Sequence, residues 1–287
     1  MLTIQGSNKI ISLSQIQGFY KTGVLKFRAV TESRAKKRNK TLNATLKTLN
    51  AKLAEIEAIR FDFLHRVPQW HVKQGIMLQL ARACDVETNT LRVDAGDIRI
   101  TAELIGNVFS IPSRGDPIPE LQKKNASHLA IKREFQKKTT TQLRDFVFAC
   151  PMETEQQRMT FRRYFILVVL KMFLNPTSQQ TISPWHLPPI LDVSNPRRFY
   201  WPYQILKWLR DAIRKFQDEN RETCGGCMFM LLVLQINYVL YFQRLKHGLL
   251  HACQVPEPWI VEWTTNELDK KADHVISQVQ SLIISFL

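Results

Sequence analysis

Three apolar helical segments fill most of residues 161–245, and they constrain the fold of this 287-residue chain more than any other feature. The predicted helices are FRRYFILVVLKMFL (161–174), FYWPYQILKWLRDAIRKF (199–216) and CGGCMFMLLVLQINYVLYFQRL (224–245). Proline removes a backbone donor and restricts the residue before it, so the linkers containing NPT, SPWHLPP and SNPRR separate these helices. The pattern predicts a helical core and identifies no reaction.

The segments upstream predict further helices and one β-hairpin. Thr90–Val93 and Ile98–Ile100 alternate on either side of a turn at Asp94–Asp97, which is the pattern of a hairpin. Further helices are expected at 72–84, at 102–109 with Thr101 as its cap, at 127–137, and at 141–149 with Thr141 as its cap.

Residues 42–66 predict an amphipathic helix. Its apolar positions follow a 4-3-4-3 spacing, at Leu42, Leu46, Leu49, Leu53 and Ile56. This seam covers little more than two heptads, so we favour a helix packed on its own domain. Weak self-association through Leu42–Ile56 is the alternative.

Basic residues cluster in two windows of the chain. Lysine and arginine outnumber acidic residues by 40 to 25, and windows 26–60 and 121–144 carry +7 and +6 of the net charge of +15. Such clustering favours a polyanionic partner, bound through phosphate contacts that do not depend on base sequence. Two solvated basic segments without a ligand are the alternative.

The candidate nucleic-acid-binding residues are basic side chains of these two windows. They are Arg34, Lys36, Lys37, Arg38 and Lys40 in the N-terminal arm, and Lys123, Lys124, Lys132, Arg133, Lys137 and Lys138 in the second window. The second group lies partly on a predicted helix, so we expect some of its members to share one face. A second hypothesis is base stacking on aromatic residues beside Arg197 and Arg198. These aromatic residues are Trp185, Phe199, Tyr200, Trp201, Tyr203 and Trp208, of which we expect Tyr203 and Trp208 to lie in the core.

No motif in the chain has the spacing of a familiar catalytic or metal site. Cys224 and Cys227 form a CxxC pair, but the second ligand pair of a zinc site and the preceding strand of a thioredoxin-like motif are missing. We interpret them as small buried residues, beside glycines that allow close packing. Asp94, Asp97 and Glu103 are acidic residues near a strand, and a turn explains both aspartates. We predict no catalytic residue, no metal and no cofactor.

The longest apolar run does not predict a membrane span. MFMLLVLQINYVLYF (228–242) contains Gln235 and Asn237. It is also shorter than the ~20 residues that cross a bilayer. We therefore expect a buried core helix and no membrane partner.

The order of several segments resembles the plant mobile domain family, also labelled aminotransferase-like. The matching segments are RRYFILVVLKMFLNPTSQQTISPWHLPPILDVS (162–194), YWPYQILKWLRDAIRKF (200–216) and GGCMFMLLVL (225–234), with TLRVDAGDIRITAELIGNVFSIPSRGDPI (90–118) upstream. The resemblance implies a domain of transposable elements and their domesticated relatives, some of them linked to nuclear gene silencing. The family has no established active site, so no functional residue is carried over, and its label does not indicate pyridoxal chemistry.

Together these patterns predict a mainly α, multi-helix globular domain with one small β-hairpin and a basic N-terminal arm. The expected segments are a basic, flexible arm at 1–41, an amphipathic helix at 42–66, a plant-mobile-domain-like helical domain at 67–255 and a C-terminal helical tail at 256–287.

The expected function is that of a non-enzymatic, transposon-derived nuclear interaction module that contacts nucleic acid or chromatin proteins. RAKKRNK (34–40) is a compact basic run of the kind that directs nuclear import. The acid-poor N-terminus is also typical of an organelle transit peptide. Two other functions stay open: the accessory fragment of a transposon-encoded ubiquitin-like-protein protease polyprotein that lacks the protease domain, or a degenerate gene product.

Overall fold

A computed structural model describes residues 39–65, 74–93, 96–177 and 179–234, and it confirms the predicted mainly α fold. The helices are α1 (Asn39–Ala58), α2 (Gln74–Ala83), α3 (Ala102–Phe109), α4 (Ala126–Phe135), α5 (Thr140–Ala149), α6 (Glu155–Val169) and α7 (Trp201–Asp218). The strands are β1 (Cys84–Asp85), β2 (Thr90–Val93) and β3 (Gly96–Arg99). Helix α6 continues as a π-helical turn over Leu170–Leu174, and residues 228–234 are also helical.

The chain divides into two compact units, each assembled from separate stretches of sequence. The first unit contains α2, the three strands, α3, α7 and residues 228–234, and the second contains α1, α4, α5 and α6 with the Pro-rich segment up to residue 199. The segment boundaries expected from composition stay predictions.

In the first unit, the predicted hairpin is confirmed and a third strand extends it. Strands β2 and β3 pair antiparallel, with Val93 opposite Gly96, so Gly96 and Asp97 lie in β3 and not in the turn as predicted. Strand β1 follows α2 directly and pairs with β2, with Cys84 opposite Leu91. It was not predicted because two residues are too few to show an alternating pattern.

The core of the first unit forms where α3 and α7 pack. The Thr101 Oγ1 accepts a hydrogen bond from the Leu104 backbone N–H at 3.2 Å, which confirms Thr101 as the cap of α3. Helix α7 buries one face, to which Trp208 and Leu209 belong. Leu206 lies at the edge of that face and is half-buried.

Residues 227–234 are all buried, as expected for the first half of the apolar run. The second half, residues 235–242, lies outside the described residues. Among the described residues, the structure contains no helix that is both long and apolar enough to cross a membrane.

In the second unit, α6 is the central helix, and two helix starts differ from the prediction. The predicted helix at 161–174 begins earlier, at Glu155, where Thr154 and Gln157 form a capping box. Helix α5 is capped by Thr139 and not by Thr141, because Gln142 stands three residues after Thr139 and completes a second capping box. Both sites follow the S/T-x-x-E/Q pattern.

Helix α1 packs on α6. The face of α1 that is buried there does not coincide with the predicted row of apolar residues from Leu42 to Ile56. Ile56 is buried, but Leu49 and Leu53 are only half-buried. Two charged side chains, Lys52 and Glu55, are buried instead. Packing on its own domain agrees with the interpretation that we favoured. Self-association through Leu42–Ile56 stays a prediction.

Two buried polar side chains anchor the Pro-rich segment that follows α6. The Lys171 Nζ donates to the Thr177 backbone carbonyl at 3.1 Å, to the Thr177 Oγ1 at 2.6 Å, and to the Gln179 carbonyl. The His186 Nδ1 accepts from the Ser183 backbone N–H at 3.3 Å, and its Nε2 lies 2.8 Å from the Asn175 carbonyl, to which it donates. These bonds fix the segment against the helical core.

The buried imidazole of His186 predicts a loss of stability in mild acid. Burial lowers the pKa of His186 to about 4 from its usual 6.5. Above pH 6.5 the ring is neutral in the folded and unfolded states, whereas between pH 6.5 and 4 only the unfolded chain binds the proton. This difference should lower the free energy of unfolding by about 2 kcal/mol between pH 7.5 and pH 5.

Urea unfolding at the two pH values measures this effect, and His186→Gln is the control. The variant loses a hydrogen bond and should be less stable at pH 7.5, but it lacks the titrating group. A variant whose stability falls between the two pH values as steeply as that of the wild type would show that His186 does not cause the loss.

Candidate nucleic-acid interface

The structure describes the second group of candidate basic residues and little of the first. Arg34, Lys36, Lys37 and Arg38 lie outside the described residues, and of Lys40 only the backbone position in α1 is described. The second group surrounds α4: Lys123 and Lys124 form the turn before the helix, Lys132 and Arg133 lie in its last turn, and Lys137 and Lys138 follow it.

Helix α4 lies on the surface, and its last residue, Phe135, anchors it to the core of the second unit. Asn125 caps it, and the Asn125 Oδ1 accepts from the Ser127 and His128 backbone N–H groups at 3.0 and 3.2 Å. Phe135 is the one buried residue of this helix, and its ring makes an edge contact with Tyr164 of α6, with the ring centroids 4.9 Å apart. Ten residues span ~15 Å, so the basic side chains form two groups separated by about that distance.

The six basic side chains around α4 have no acidic partner among the residues that the structure describes. Lys123, Lys124, Arg133 and Lys137 are exposed, and Lys132 and Lys138 are half-buried. The Lys138 Nζ lies 5.6 Å from the centre of the Tyr164 ring. Within the described part of the chain, none of the six forms an ion pair, whereas several arginines elsewhere do. The segment therefore presents uncompensated positive charge to solvent.

The helix dipole favours the basic residues at the C-terminal end of α4 but not those at its N-terminal end. Cations in the last turn, such as Lys132 and Arg133, interact favourably with the negative end of the helix dipole. Lys123 and Lys124 precede the positive end, where the same interaction is unfavourable, and the first turn contains no acidic residue. The helix dipole therefore does not explain the position of these two lysines.

The aromatic residues proposed for base stacking separate into buried and exposed groups. Trp208 is buried as expected, and Trp201 is buried too, but the expectation that Tyr203 lies in the core is wrong, because 53% of its surface is exposed. Tyr203 lies on the outer side of α7 and stacks on Tyr200, with the ring centroids 5.6 Å apart. Trp185 is 66% exposed.

The two arginines beside these aromatic residues also differ. The Arg198 guanidinium is 2.6 Å from the Asp192 carboxylate and stacks over Phe199, so Arg198 holds its own loop together. Arg197 is exposed.

Of the CxxC pair, Cys227 is buried as expected, whereas Cys224 is half-buried. Burial raises the pKa of Cys224 and of Cys227 to about 12, so both are thiols at neutral pH and not the thiolates that redox exchange uses. Gly226 between them has a positive φ of 74°, and a Cβ there would lie 3.1 Å from the Leu209 Cα. The glycine thus allows the close approach that we expected.

No other described cluster offers a metal site. Among the described residues, no three His, Cys, Asp or Glu side chains are arranged to hold a metal ion. Asp97 and Glu103 are both exposed, and Asp94 lies outside the described residues.

Lys171 is a buried lysine that the sequence did not single out. Burial lowers its pKa to about 8, and it lies in a π-helical turn, a feature often found at functional sites. Its ammonium group has three donors, and oxygen atoms of Thr177 and Gln179 accept all three. We therefore assign to Lys171 the role of anchoring the Pro-rich segment that follows α6.

Comparison with known proteins adds a family and one relative. The family model of a domain of unknown function (DUF8566) matches residues 36–232. Protein MAIN-LIKE 2 of Arabidopsis thaliana, a plant mobile domain protein, is 23% identical over 191 residues, which cover 61% of this chain. The chain spans 28% of the length of that relative. This likeness supports the resemblance to the plant mobile domain family. No solved structure matches.

Proposed function

The chain belongs to the family of the domain of unknown function DUF8566, and we propose that it is a non-enzymatic, transposon-derived module that contacts nucleic acid in the nucleus. The likeness to a plant mobile domain protein is consistent with a transposon-derived, non-enzymatic role. To this role the proposal adds localisation in the nucleus and binding of nucleic acid.

The uncompensated charge around α4 is the observation that carries this proposal. Six basic side chains stand within sixteen residues, and the one acid among them is Glu134. Lysines and arginines that meet phosphates release condensed counterions, and this release supplies most of the affinity of non-specific nucleic-acid binding. A ligand with regularly spaced phosphates can contact both groups of basic residues, which lie ~15 Å apart along the helix.

The basic arm supplies the second part of the proposal. Arg34, Lys36, Lys37, Arg38 and Lys40 form a run of the type that import receptors bind, and the same residues can follow a phosphate backbone. Chromatin proteins with acidic surfaces are the alternative partner, because they would meet the same charge.

Paired charge-neutralising variants test the proposal. The first double variant, Lys132→Gln with Lys137→Gln, removes two positive charges at the C-terminal end of α4. The second, Lys123→Gln with Lys124→Gln, removes two at its N-terminal end. Each double variant should weaken binding to a labelled duplex by roughly tenfold at 0.1 M salt. Fluorescence anisotropy with the full chain measures the affinities.

The matched control is Lys207→Gln with Lys215→Gln. Both of these lysines are exposed on α7, and their removal changes the net charge by the same amount. The control should keep the affinity of the wild type for the duplex. Equal losses in all three double variants would mean that net charge alone, and not the surface around α4, determines the affinity.

A separate variant tests nuclear action. Replacing Lys36, Lys37 and Arg38 together by glutamine should abolish nuclear accumulation of a fluorescent fusion of the full chain. A fusion that still accumulates in the nucleus after this change would contradict import through the basic run.

A further inference from the structure

Trp185 is a large apolar side chain that the fold leaves in solvent. It exposes 66% of its surface, whereas Trp201 and Trp208 are buried. Within the described part of the chain it has no hydrogen bond or ring contact with another residue. Indole combines a wide aromatic face with a polar edge, and such side chains are enriched where proteins bind other molecules.

The backbone around Trp185 is fixed before any ligand arrives. Trp185 stands in the 3-10 turn Pro184–His186, and Pro188 follows shortly after it. The next residue, His186, is buried and bonds through both ring nitrogens to Ser183 and Asn175. A backbone that is already ordered loses less conformational freedom on binding, so the contacts of its side chains contribute more to affinity.

Trp185 lies close to the basic end of α4, within the second unit. Thr139 and Thr181 form an antiparallel bridge, and the Ile182 N–H donates to the Lys138 carbonyl at 3.0 Å. Three residues lead from Ile182 to Trp185, a path of at most ~11 Å. The exposed indole therefore stands on a segment that is bonded directly to the turn containing Lys137 and Lys138.

On the basis of the proposed function, we propose that Trp185 stacks on an unpaired base and that the surface of Trp185, Lys132, Lys137 and Lys138 binds single-stranded nucleic acid. Aromatic platforms beside positive charge are the usual means of binding single strands without sequence preference. The bases of a duplex are already stacked on both sides, so a duplex offers this surface its phosphates alone. An apolar protein partner would use the indole but would gain nothing from the lysines.

The test compares two labelled probes, an oligothymidylate and a mixed-sequence duplex of equal length, against the full chain. Trp185→Ala should weaken binding of the single strand by roughly 5- to 100-fold and leave the duplex affinity unchanged. The salt dependence should stay that of the wild type, because the indole contacts no phosphate. Trp185→Phe should restore most of the affinity, since a phenyl ring also stacks. Phe148→Ala, which removes an aromatic ring that is 51% exposed on α5 of the same unit, is the matched control and should have no effect.

Each outcome separates the stacking role from the function on which it rests. If the chain binds both probes and Trp185→Ala changes neither affinity, the stacking role is overturned and the charge-based function stands. If Trp185→Ala weakens both probes equally, stacking on an unpaired base is likewise overturned. If the wild-type chain binds neither probe, the proposed function is overturned, and the single-strand site with it.

Discussion

Glu55→Ala should lower the free energy of unfolding by about 2 kcal/mol, because the change leaves the largely buried Arg162 side chain, 12% exposed, with the exposed Glu155 as its remaining carboxylate partner. The Glu55 carboxylate is 5% exposed and lies 2.7 Å from the Arg162 Nε, with the Arg158 guanidinium 3.4 Å away. The Arg162 side chain also donates to the backbone carbonyls of Val193 and Ser194 at 3.2 Å. The pair thus ties α1 and the segment before residue 199 to α6.

Chemical denaturation measures this loss, and Glu57→Ala on the same helix is the matched control. Glu57 is exposed, so its removal should change the free energy of unfolding by less than about 0.5 kcal/mol. The control variant and Glu55→Ala lose the same formal charge and the same kind of side chain. Equal stabilities of the two variants would contradict a structural role for the buried pair.

Leu209→Ala should cost about 2–5 kcal/mol of folding free energy, because the smaller side chain leaves a cavity in the first unit. Leu209 is 1% exposed and lies on the buried face of α7. The turn at Gly226 packs directly on its backbone, since a Cβ at Gly226 would lie 3.1 Å from the Leu209 Cα.

Leu206→Ala provides the comparison, since it removes the same atoms from a half-buried position on the same helix. It should cost clearly less than the change at Leu209. The same unfolding experiment checks both variants. A loss at Leu206 as large as that at Leu209 would mean that the face of α7 assigned to the core is wrong.

The sequence predicts the helical elements well where a local pattern defines them. Thr101 stands directly before an apolar periodic run, and it caps α3 as predicted. Thr139 directly precedes α5 and Thr141 lies in its first turn, and Gln142 decides which of them is the cap because it completes a capping box only with Thr139. The same spacing from Thr154 to Gln157 moves the start of α6 upstream of its apolar stretch.

Features that depend on distant contacts were not predictable in this way. Lys52 contributes to the charge of the first basic window, yet it is buried, and its Nζ donates to the Phe148 carbonyl at 2.7 Å, 96 residues away in the chain. The local pattern around Lys52 is that of any solvated lysine. Each of the two units is built from separate stretches of the sequence, and this division likewise depends on contacts between residues far apart in the chain.

The sequence predicts the positive charge of the candidate interface, but it does not predict which aromatic side chain is exposed there. The basic residues around α4 were identified from composition, because unpaired lysines almost always remain in solvent. Trp185 was one of six aromatic candidates for base stacking in the sequence, and the burial of Trp208 was predicted correctly. The exposure of Trp185, which selects it from the six, is seen only in the fold.

The salt dependence of nucleic-acid affinity tests the central claim most directly. The association constant of the full chain for a duplex should fall linearly with salt on logarithmic axes, with a slope of about −0.9 for each phosphate contact. The slope should become shallower by about 2 in the Lys132→Gln, Lys137→Gln variant and should not change in the Lys207→Gln, Lys215→Gln control. An affinity that does not respond to salt, or equal slopes in the two variants, would contradict phosphate binding by the surface around α4.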